Sequence, residues 1–375
     1  MRFVHISDLH LGKRLKEKSL EEDQRYILNQ ILDIIDQQHP DGVLIAGDVF
    51  DDGNNTTVES IRMLDDFLTE LSKKDMSTYM ISGNHDSMDR LNFGSRIFNE
   101  NHIFISGTFS GKANRFTLSR NGEDVDVYLL PFVKPAHVRR YYPDERIESY
   151  DDAIACVLRH SGITGDNKKV LVTHQFIVSG TDTPMLSDSE RSFVGGTEAI
   201  SAAQFGMFDY VALGHIHSPQ YIGKETVRYC GSPLKYSLSE KDNEKSVTII
   251  DIDDEVRITT VPLRPLRDLR FIKGPLDAII SAAKDDPARD DFIYVQLDRM
   301  EMNAMARLRE VYPNVMSLDF VRNTDTDLSE ETIDVEHLDA LTEFSKFFSN
   351  KTGEELTESQ RKLVKELLET NGVVL

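Results

Sequence analysis

The sequence predicts an α/β layered domain, followed by a small α+β domain and by C-terminal helices. Short apolar runs alternate with helical patterns through about the first two hundred residues, and such alternation is typical of layered α/β folds. A compact β-α-β-α-β pattern comes after the proline-containing stretch 262–265. Two amphipathic helical patterns come last in the sequence.

Each element of the first domain has its own signal. Buried strands are predicted where the chain is apolar on both faces, at 3–6, 43–46, 78–81, 170–172 and 210–213. Ser19 with Glu22 forms a capping box, which predicts a helix that closes before Pro40. A second helix is predicted by the spacing of Ile61, Leu64, Phe67, Leu68 and Leu71.

The remaining stretches complete the predicted domain organisation. Residues 115–132 and 226–261 carry paired strand patterns without helices, and the polar stretch 179–197 predicts a long mobile loop beside the strand ends. In the second domain, strands are predicted at 269–272, 292–297 and 315–321, with helices at 275–283 and 302–311. An acidic linker at 325–331 precedes the last helices, one of them capped by Thr357 and Gln360. The predicted domains are therefore 1–262, 266–323 and 332–375.

The composition narrows the class of protein. Lys plus Arg number 43 and Asp plus Glu number 64, so the net charge is −21, which disfavours a free-standing nucleic-acid binder of high affinity. An enzyme that acts on phosphates remains compatible with this charge if metal ions supply positive charge locally. Two cysteines, Cys156 and Cys230, are too few for a disulfide scaffold and favour a reducing, cytoplasmic setting. The sequence has no apolar run that could span a membrane and begins without a secretory signal pattern.

Residues that can bind metal ions follow five of the predicted strands. The clusters are Asp8-Leu9-His10, Gly47-Asp48, Gly83-Asn84-His85-Asp86, Thr173-His174 and Gly214-His215-Ile216-His217. Loops at the carboxyl ends of neighbouring strands converge on one crevice. Because side chains alternate along an extended chain, the Asp8–His10 pair is expected to face one metal centre. The same spacing predicts that His215 and His217 share a centre.

The donor count predicts two metal ions. The seven candidate ligands are Asp8, His10, Asp48, Asn84, His174, His215 and His217. Seven donors exceed the four of a tetrahedral zinc site and fit two ions that share a bridging carboxylate. A mixture of carboxylate, amide and imidazole without thiolate suits Mn²⁺, Fe²⁺ or Zn²⁺. Two ions roughly 3.5–4 Å apart can bind a phosphoryl oxygen and activate water, which predicts hydrolysis of a phosphate ester.

One histidine beside these ligands is a candidate proton donor. His85 follows Asn84 but is expected to point to the other face of the chain, where it can assist the leaving alkoxide. Asp86 is predicted to orient His85, as carboxylates commonly orient catalytic imidazoles.

In this order, the five clusters resemble the full signature of the calcineurin-type metallophosphoesterases. Within that superfamily the whole chain resembles the SbcD family, the nuclease subunits of bacterial SbcCD complexes. Further residues that carry the resemblance are 7–12, 47–51, 194–197, 231–234, 347–348, Gly353 and 356–357. The resemblance implies a four-layer β-sandwich flanked by helices, with 266–323 as a DNA-contacting cap and 332–375 as a segment that docks on an ATPase subunit.

The resemblance also implies roles and partners. The seven donors would hold two Mn²⁺ ions, with Asp48 bridging, and His85 would assist phosphodiester cleavage. The implied activities are an ATP-dependent double-strand exonuclease and a single-strand or hairpin endonuclease, in DNA repair, replication and recombination. The implied partners are DNA, the ATPase SbcC and a second copy bound through helices of the nuclease domain; the implied location is the nucleoid. Archaeal and eukaryotic relatives often carry a second histidine where this chain has Asp51, so that histidine's role is not transferred.

Three basic residues follow the candidate metal-binding clusters. Lys13 and Arg14 follow the first cluster and Arg90 follows the third, where they could contact DNA phosphates or lie in solvated loops. A small-molecule phosphodiesterase or a phosphoprotein phosphatase could use the same scaffold, although these usually lack the segments after about residue 262. A third alternative is an inactive scaffold that only bridges DNA and the ATPase. The complete set of candidate ligands argues against it.

Overall fold

The computed structural model describes residues 1–190, 198–321 and 355–370, together with positions 341, 344, 345 and 348. The strands are β1 (Arg2–Ile6), β2 (Arg14–Leu15), β3 (Lys18–Ser19), β4 (Gly42–Ala46), β5 (Ser77–Ile81), β6 (Ile103–Ser106), β7 (Asn114–Arg120), β8 (Glu123–Leu130), β9 (Lys168–His174), β10 (Ile177–Val178), β11 (Ile200–Ser201), β12 (Tyr210–Gly214), β13 (Gln220–Ile222), β14 (Lys224–Tyr229), β15 (Ser246–Ile252), β16 (Val256–Pro262), β17 (Leu269–Gly274), β18 (Phe292–Leu297) and β19 (Val315–Phe320). The α-helices are α1 (Glu21–Gln38), α2 (Val58–Ser72), α3 (Met88–Leu91), α4 (Ser95–Phe98), α5 (Pro135–Arg139), α6 (Tyr150–His160), α7 (Leu276–Ala282), α8 (Ala304–Val311) and α9 (Glu358–Thr370).

Two six-stranded sheets pack face to face. The first has the order β16-β15-β1-β4-β5-β6 and the second the order β13-β14-β12-β9-β8-β7. Strands β1, β4, β5 and β6 run parallel in the first sheet, as do β8, β9, β12 and β14 in the second. The other strands pair antiparallel at the sheet edges. Because parallel strands bring their carboxyl ends to one edge, the loops that follow them can meet there.

The layers follow from where the apolar side chains lie. Between the sheets, Leu44 and Tyr79 of the first sheet belong to the same buried cluster as Val170 and Tyr210 of the second. Helices α1 and α2 cover the outer face of the first sheet, and α6 covers the outer face of the second. Full burial of one such apolar side chain stabilises the fold by roughly 1.5–3 kcal/mol. The result is a helix–sheet–sheet–helix sandwich, which confirms the predicted fold class.

A smaller unit follows in the chain. Strands β17, β18 and β19 form a parallel three-stranded sheet, and α7 and α8 pack on it through Leu276, Ile279 and Leu308. Arg267, just before β17, donates to the Asp23 carboxylate of α1 at 2.6 and 3.0 Å, which joins the small sheet to the sandwich. Residues 1–321 form one compact unit, so the predicted boundary near 262–266 stays a prediction.

Residues 322–375 form a second compact unit, in which α9 is described. Gln360 Oε1 accepts from the Thr357 N–H at 2.9 Å, and Thr357 Oγ1 accepts from the Gln360 N–H at 3.4 Å. This reciprocal pair is the predicted capping box, and it begins the helix at the expected place.

Other expectations differ from the structure or lie outside it. Helix α1 begins at Glu21, and Ser19 lies in β3, where its hydroxyl accepts from the Glu21 N–H at 3.2 Å; the predicted Ser19 capping box is therefore wrong. Ile61 of α2 is exposed, although the other predicted apolar residues of α2 are buried. The 191–197 part of the predicted loop, the 325–331 linker and most of the helix after it lie outside the described residues. Among the described helices, none is long and apolar enough to cross a membrane.

Candidate metal centre

The five predicted clusters lie at the carboxyl ends of five strands. Asp8 and His10 follow β1, Asp48 follows β4 and Asn84 follows β5, all in the first sheet. His174 ends β9, and His215 and His217 follow β12, in the second sheet. All seven side chains are buried except that of Asn84, which is half-buried. The two sheets therefore contribute to one crevice at their common carboxyl edge.

The loop main chain is bent sharply to aim these side chains. Asp8, His10 and Asp48 have left-handed φ angles of 52°, 44° and 48°, which are uncommon for residues other than glycine. The Asp8 and His10 N–H groups donate to the carbonyl oxygens of Gly47 and Asp48, both at 3.0 Å, and these bonds hold the bends in place. At Gly83, a Cβ atom would lie 2.1 Å from Asp48 Oδ1, so only glycine fits there.

The ligand atoms form two groups that share Asp8, and Asp48 of the second group also faces the first. In the first group, ligand atoms of Asp8, His10 and His217 lie within 4.8 Å of one another. In the second, those of Asp8, Asp48 and His174 do the same. Asp48 Oδ2 lies 3.3 Å from His174 Nε2 and 3.7 Å from His10 Nε2, so this carboxylate faces both groups.

The structure separates His215 from His217. His215 Nδ1 lies 2.9 Å from Asn84 Oδ1, which is itself 3.1 Å from His174 Nε2. His217 Nε2 instead lies 3.2 Å from His10 Nε2. The expectation that the two histidines share a centre is wrong, because His215 has a φ of 98° and the chain does not continue there as an extended strand.

Charges within these groups are strongly coupled. Burial opposes ionisation of Asp48, but the neighbouring imidazoles, His174 above all, hold the pKa of this carboxyl well below its ordinary value. Burial also opposes protonation of His174, but Asp48 outweighs it and raises the pKa of His174 to about 9. Burial and the nearby His174 lower the pKa of His215 to about 3. A cation that binds here must displace the proton of His174, so metal binding and proton release are linked.

The donor set fits divalent cations. Two imidazole nitrogens face each other at 3.2 Å in the first group, and His10 Nδ1 is buried with no hydrogen bond of good geometry. The groups offer oxygen and nitrogen donors, while the Cys230 thiol lies behind them, 3.1 Å from Ser7 Oγ. This mixture without sulfur suits Mn²⁺, Fe²⁺ or Zn²⁺ rather than a structural zinc.

Comparison with known proteins agrees with this geometry. Residues 1–219 match the family described as calcineurin-like phosphoesterase, and residues 265–352 match the type 5 capsule protein repressor C-terminal domain. The SbcD subunit of the nuclease SbcCD from Staphylococcus epidermidis is 34% identical over 378 residues, which cover 98% of both chains. The chain belongs to the SbcD family of calcineurin-like phosphoesterases. A second member, from Staphylococcus saprophyticus, is 32% identical over 98% of both chains.

The similarity to solved structures is lower. A dimetal phosphatase from Danio rerio is 11% identical, with a TM-score of 0.40 over 71% of this chain and 98% of its own. The Thermus thermophilus protein TT1561 is 10% identical, with a TM-score of 0.41 over 70% of this chain and 99% of its own. Membership of the SbcD family makes the chain a metal-dependent phosphoesterase and agrees with a centre for divalent metal ions.

His85 and Asp86 lie beside the ligand groups. His85 Nδ1 lies 2.9 Å from the Asp51 carbonyl oxygen, and its main-chain N–H donates to Asp48 Oδ1 at 2.9 Å. The Asp86 carboxylate accepts three main-chain N–H groups, from Val49 at 3.1 Å, Phe50 at 2.8 Å and Gly83 at 2.9 Å. Asp86 thus joins the β4 and β5 loops. Asp86 was predicted to orient the His85 ring directly, but the group that contacts His85 Nδ1 is the Asp51 carbonyl oxygen.

Asp51 places a further charged group beside His10. Asp51 Oδ1 lies 3.3 Å from His10 Nδ1 and accepts from Lys13 Nζ at 2.7 Å. Burial opposes ionisation of Asp51, but His10 and Lys13 outweigh it and lower the pKa of this carboxyl to about 2. Ligand atoms of His10, Asp51 and His85 form a third group within 4.8 Å.

The candidate DNA contacts differ in their surroundings. Lys13 borders the crevice together with Asp48 and His85, and its Nζ lies 5.8 Å from the centre of the Tyr236 ring. Arg14 is exposed in β2. Arg90 donates to the carbonyl oxygens of Gly53 and Asn54, both at 2.9 Å, and so supports the loop after Asp51.

Sequence reasoning missed a group of residues behind His217. They are Ser189, Glu190, Glu240 and Lys245. The Glu190 carboxylate accepts from the His217 main-chain N–H, and Glu240 Oε1 lies 3.5 Å from His217 Nδ1. These residues come from separate polar stretches of an acidic chain, where nothing in the sequence sets them apart from surface residues. Two signals lay near them: the predicted 179–197 loop, which contains Ser189 and Glu190, and the run 231–234.

Proposed function

We propose that this chain is the DNA nuclease subunit of an SbcCD-type complex and hydrolyses phosphodiester bonds with two divalent metal ions. The observation that carries this proposal is the pair of ligand groups that share Asp8 and that Asp48 faces on both sides. His85 borders the same crevice. Asp8, His10, Asp48 and His217 would hold one ion, and Asp48, Asn84, His174 and His215 the other. Such ions supply activation of water and neutralise charge on the phosphoryl oxygens. Among the cations that this donor set suits, we propose Mn²⁺, which the resemblance to the SbcD family implies.

The protein's own groups would carry the proton steps. Because a carbonyl oxygen only accepts, the contact with Asp51 means that His85 Nδ1 carries a proton. The other ring nitrogen, Nε2, is then the atom that can deliver a proton from the imidazolium to the leaving oxygen of the DNA strand. Asp86 maintains this geometry through the loop main chain. Lys13, and less directly Arg14 and Arg90, would attract the DNA backbone.

The name shared by the two relatives supports the substrate and the partner. Both are named as the SbcD subunit of the nuclease SbcCD, and the chain aligns with them over nearly its whole length. From the resemblance to the SbcD family we further infer an ATP-dependent double-strand exonuclease and a single-strand or hairpin endonuclease that acts in DNA repair, replication and recombination at the nucleoid. In this proposal, 1–262 is the nuclease domain, 266–323 is a cap that contacts DNA, and 332–375 docks on the ATPase SbcC. A net charge of −21 is consistent with DNA affinity that comes largely from SbcC.

An exposed apolar surface supports the proposed homodimer. Phe93 and Ile97 are 84% and 70% exposed, and Ile61 is 53% exposed. Phe93 and Ile61 line a groove of about 560 Å³ beside α2, α3 and α4. Apolar patches of this kind mark protein interfaces, and helices of the nuclease domain supply this one.

One assay separates this proposal from its rivals. Linear duplex DNA and hairpin DNA are incubated with the protein and Mn²⁺, with and without SbcC and ATP, and with bis(p-nitrophenyl) phosphate and a cyclic nucleotide as other substrates. The proposal predicts cleavage of DNA that requires Mn²⁺ and increases with SbcC and ATP. Rapid hydrolysis of the cyclic nucleotide without DNA cleavage in either condition would refute it, as would an SbcC-bound protein that cleaves nothing.

A further inference from the structure

A buried pair of opposite charges lies behind the candidate ligand His217. Lys245 Nζ donates to Glu240 Oε2 at 2.7 Å, to the His217 carbonyl oxygen at 2.9 Å and to Ser232 Oγ at 2.9 Å. The side chains of Lys245 and Glu240 are 4% and 0% exposed. Because all three ammonium protons have acceptors, this is a satisfied pair, and removal of one partner alone would leave a buried charge uncompensated.

The pair contacts His217 at two places. Glu240 Oε1 lies 3.5 Å from the ring nitrogen Nδ1, and Ser189 Oγ lies 3.1 Å from the same atom. At the main chain, Lys245 and the Ser232 N–H both donate to the His217 carbonyl oxygen. The acceptors around Nδ1 favour the tautomer with the proton there, which leaves the Nε2 lone pair facing His10 as a metal ligand requires.

The turn at Gly231 explains how Ser232 reaches His217. Gly231 has a φ of 81°, and a Cβ atom there would lie 2.7 Å from the His217 carbonyl oxygen and 2.8 Å from Pro219. A side chain at this position would push the turn away from His217. The run 231–234 contains none of the candidate metal ligands, but through Gly231 and Ser232 it supports His217.

The histidines of the second group have different partners. His174 Nδ1 lies 2.7 Å from the Ala46 carbonyl oxygen, and His215 Nδ1 faces the Asn84 amide oxygen. A carboxylate behind a ligating imidazole fixes its orientation and makes it a stronger donor than a carbonyl does. His217 thus depends on a built ion pair, whereas His174 depends on the main chain of β4.

We propose that Glu240 and Lys245 act as one positioning unit for His217, and that the metal ion held with Asp8 and His10 depends on this unit while the other ion does not. This inference rests on the proposed two-metal function. Neither Glu240 nor Lys245 lines the crevice that the candidate ligands border, so they are positioning residues rather than ligands. Their effect is expected in metal affinity at one of two sites.

Titration of the metal-free, full-length protein with Mn²⁺ tests the inference. Isothermal calorimetry and the electron paramagnetic resonance of free Mn²⁺ would be measured for the parent, for Glu240→Gln and for Glu240→Gln/Lys245→Met, which removes both charges together. The parent is expected to bind two ions. Both variants are expected to weaken one site roughly 10- to 100-fold and to leave the other within about threefold. Asp126→Asn is the matched control, because it removes another buried carboxylate, which lies on β8 and accepts a hydrogen bond from Thr117 of β7.

Folding is monitored by thermal melting of the metal-free proteins. Glu240→Asp keeps both charges and withdraws the carboxylate by one methylene. Its Mn²⁺ affinity therefore tests the inference even if the neutral variants misfold. Weakening confined to one site supports the inference. Unchanged binding at both sites, or equal weakening at both, overturns it. A parent that binds no Mn²⁺ refutes the proposed function instead, which distinguishes the two failures.

Discussion

Replacement of His85 by glutamine tests the proposed chemistry most directly. Among the described residues, the substitution removes a ring whose Nδ1 lies 2.9 Å from the Asp51 carbonyl oxygen and whose plane is nearly perpendicular to that of His10, with centroids 4.9 Å apart. Loss of one hydrogen bond, about 1 kcal/mol, and of one ring contact, roughly 0.5–1.5 kcal/mol, should destabilise the protein by about 2 kcal/mol. The variant should therefore fold, and its activity can be interpreted.

The expected kinetic effect is much larger than the effect on stability. A positioned general acid contributes roughly 10²- to 10⁴-fold to a rate, which corresponds to about 3–5 kcal/mol of activation free energy. His85→Gln should lose this factor in kcat for DNA, while KM and Mn²⁺ affinity stay within about threefold. Bis(p-nitrophenyl) phosphate has a far better leaving group, so its hydrolysis should fall much less. That contrast is specific to proton donation.

The assay compares both substrates under saturating Mn²⁺, with His102→Asn as control because His102 is exposed and outside the crevice. DNA cleavage at the parental rate would refute the role of His85. Equal losses on both substrates, together with the loss of one bound Mn²⁺, would show that His85 is a ligand of the third group instead.

Other predictions follow from buried or exposed groups elsewhere. Burial lowers the pKa of His5 to about 3. In the unfolded chain His5 takes up a proton near pH 6.5, whereas in the folded protein it stays neutral until about pH 3. The free energy of unfolding therefore has its full value above pH 6.5 and decreases as the pH falls towards 3, by about 2 kcal/mol at pH 5. In His5→Gln, the free energy of unfolding measured with urea should not show this decrease between pH 7 and pH 5. Asp86→Ala leaves three buried N–H groups without their acceptor and should lower the free energy of unfolding by about 3 kcal/mol or more. Phe93→Glu places a charge on the exposed apolar surface and should weaken a dimer at least about 30-fold, as seen by light scattering during size-exclusion chromatography.

Each of these predictions has a matched control. For His5, the exposed His39→Gln should keep the parental pH dependence; a parental slope in His5→Gln would contradict the assignment. For Asp86, the exposed Asp52→Ala lies in the neighbouring loop and should change stability by less than about 1 kcal/mol. For Phe93, Tyr221→Glu alters another large exposed side chain, 50% exposed, and should leave the oligomeric state unchanged. A monomeric parent would remove the basis of the dimer proposal.

Much of the layered fold followed from local patterns. The buried strands are continuous apolar runs, so β4, β5 and β12 were predicted almost to the residue. The motifs at their ends predicted the candidate site. Detail failed where the backbone departs from regular geometry. The pairing of His215 with His217 assumed an extended chain, and a φ of 98° at His215 breaks that assumption.

Long-range contacts were beyond the sequence. The ion pair behind His217 joins residues 23 and 28 positions further along the chain, in a stretch whose charges resemble an ordinary surface. The Asp51 carbonyl that contacts His85 is a main-chain atom, which residue identity cannot reveal. Ile61 shares the helical spacing of buried neighbours, yet it lies at the rim of a surface groove. The same spacing describes a core and an interface equally well.

The place of β1 in the first sheet bears on how the protein is made. This strand pairs on one side with β4 and on the other with β15, whose partner residues lie about 250 positions away. During synthesis on the ribosome, the side of β1 that pairs with β15 therefore stays unpaired until the chain has emerged past residue 252. Pairing between residues so far apart in sequence is slow. A nascent chain is thus exposed to aggregation during that interval, and a truncated product that ends before β15 would leave the same edge uncovered.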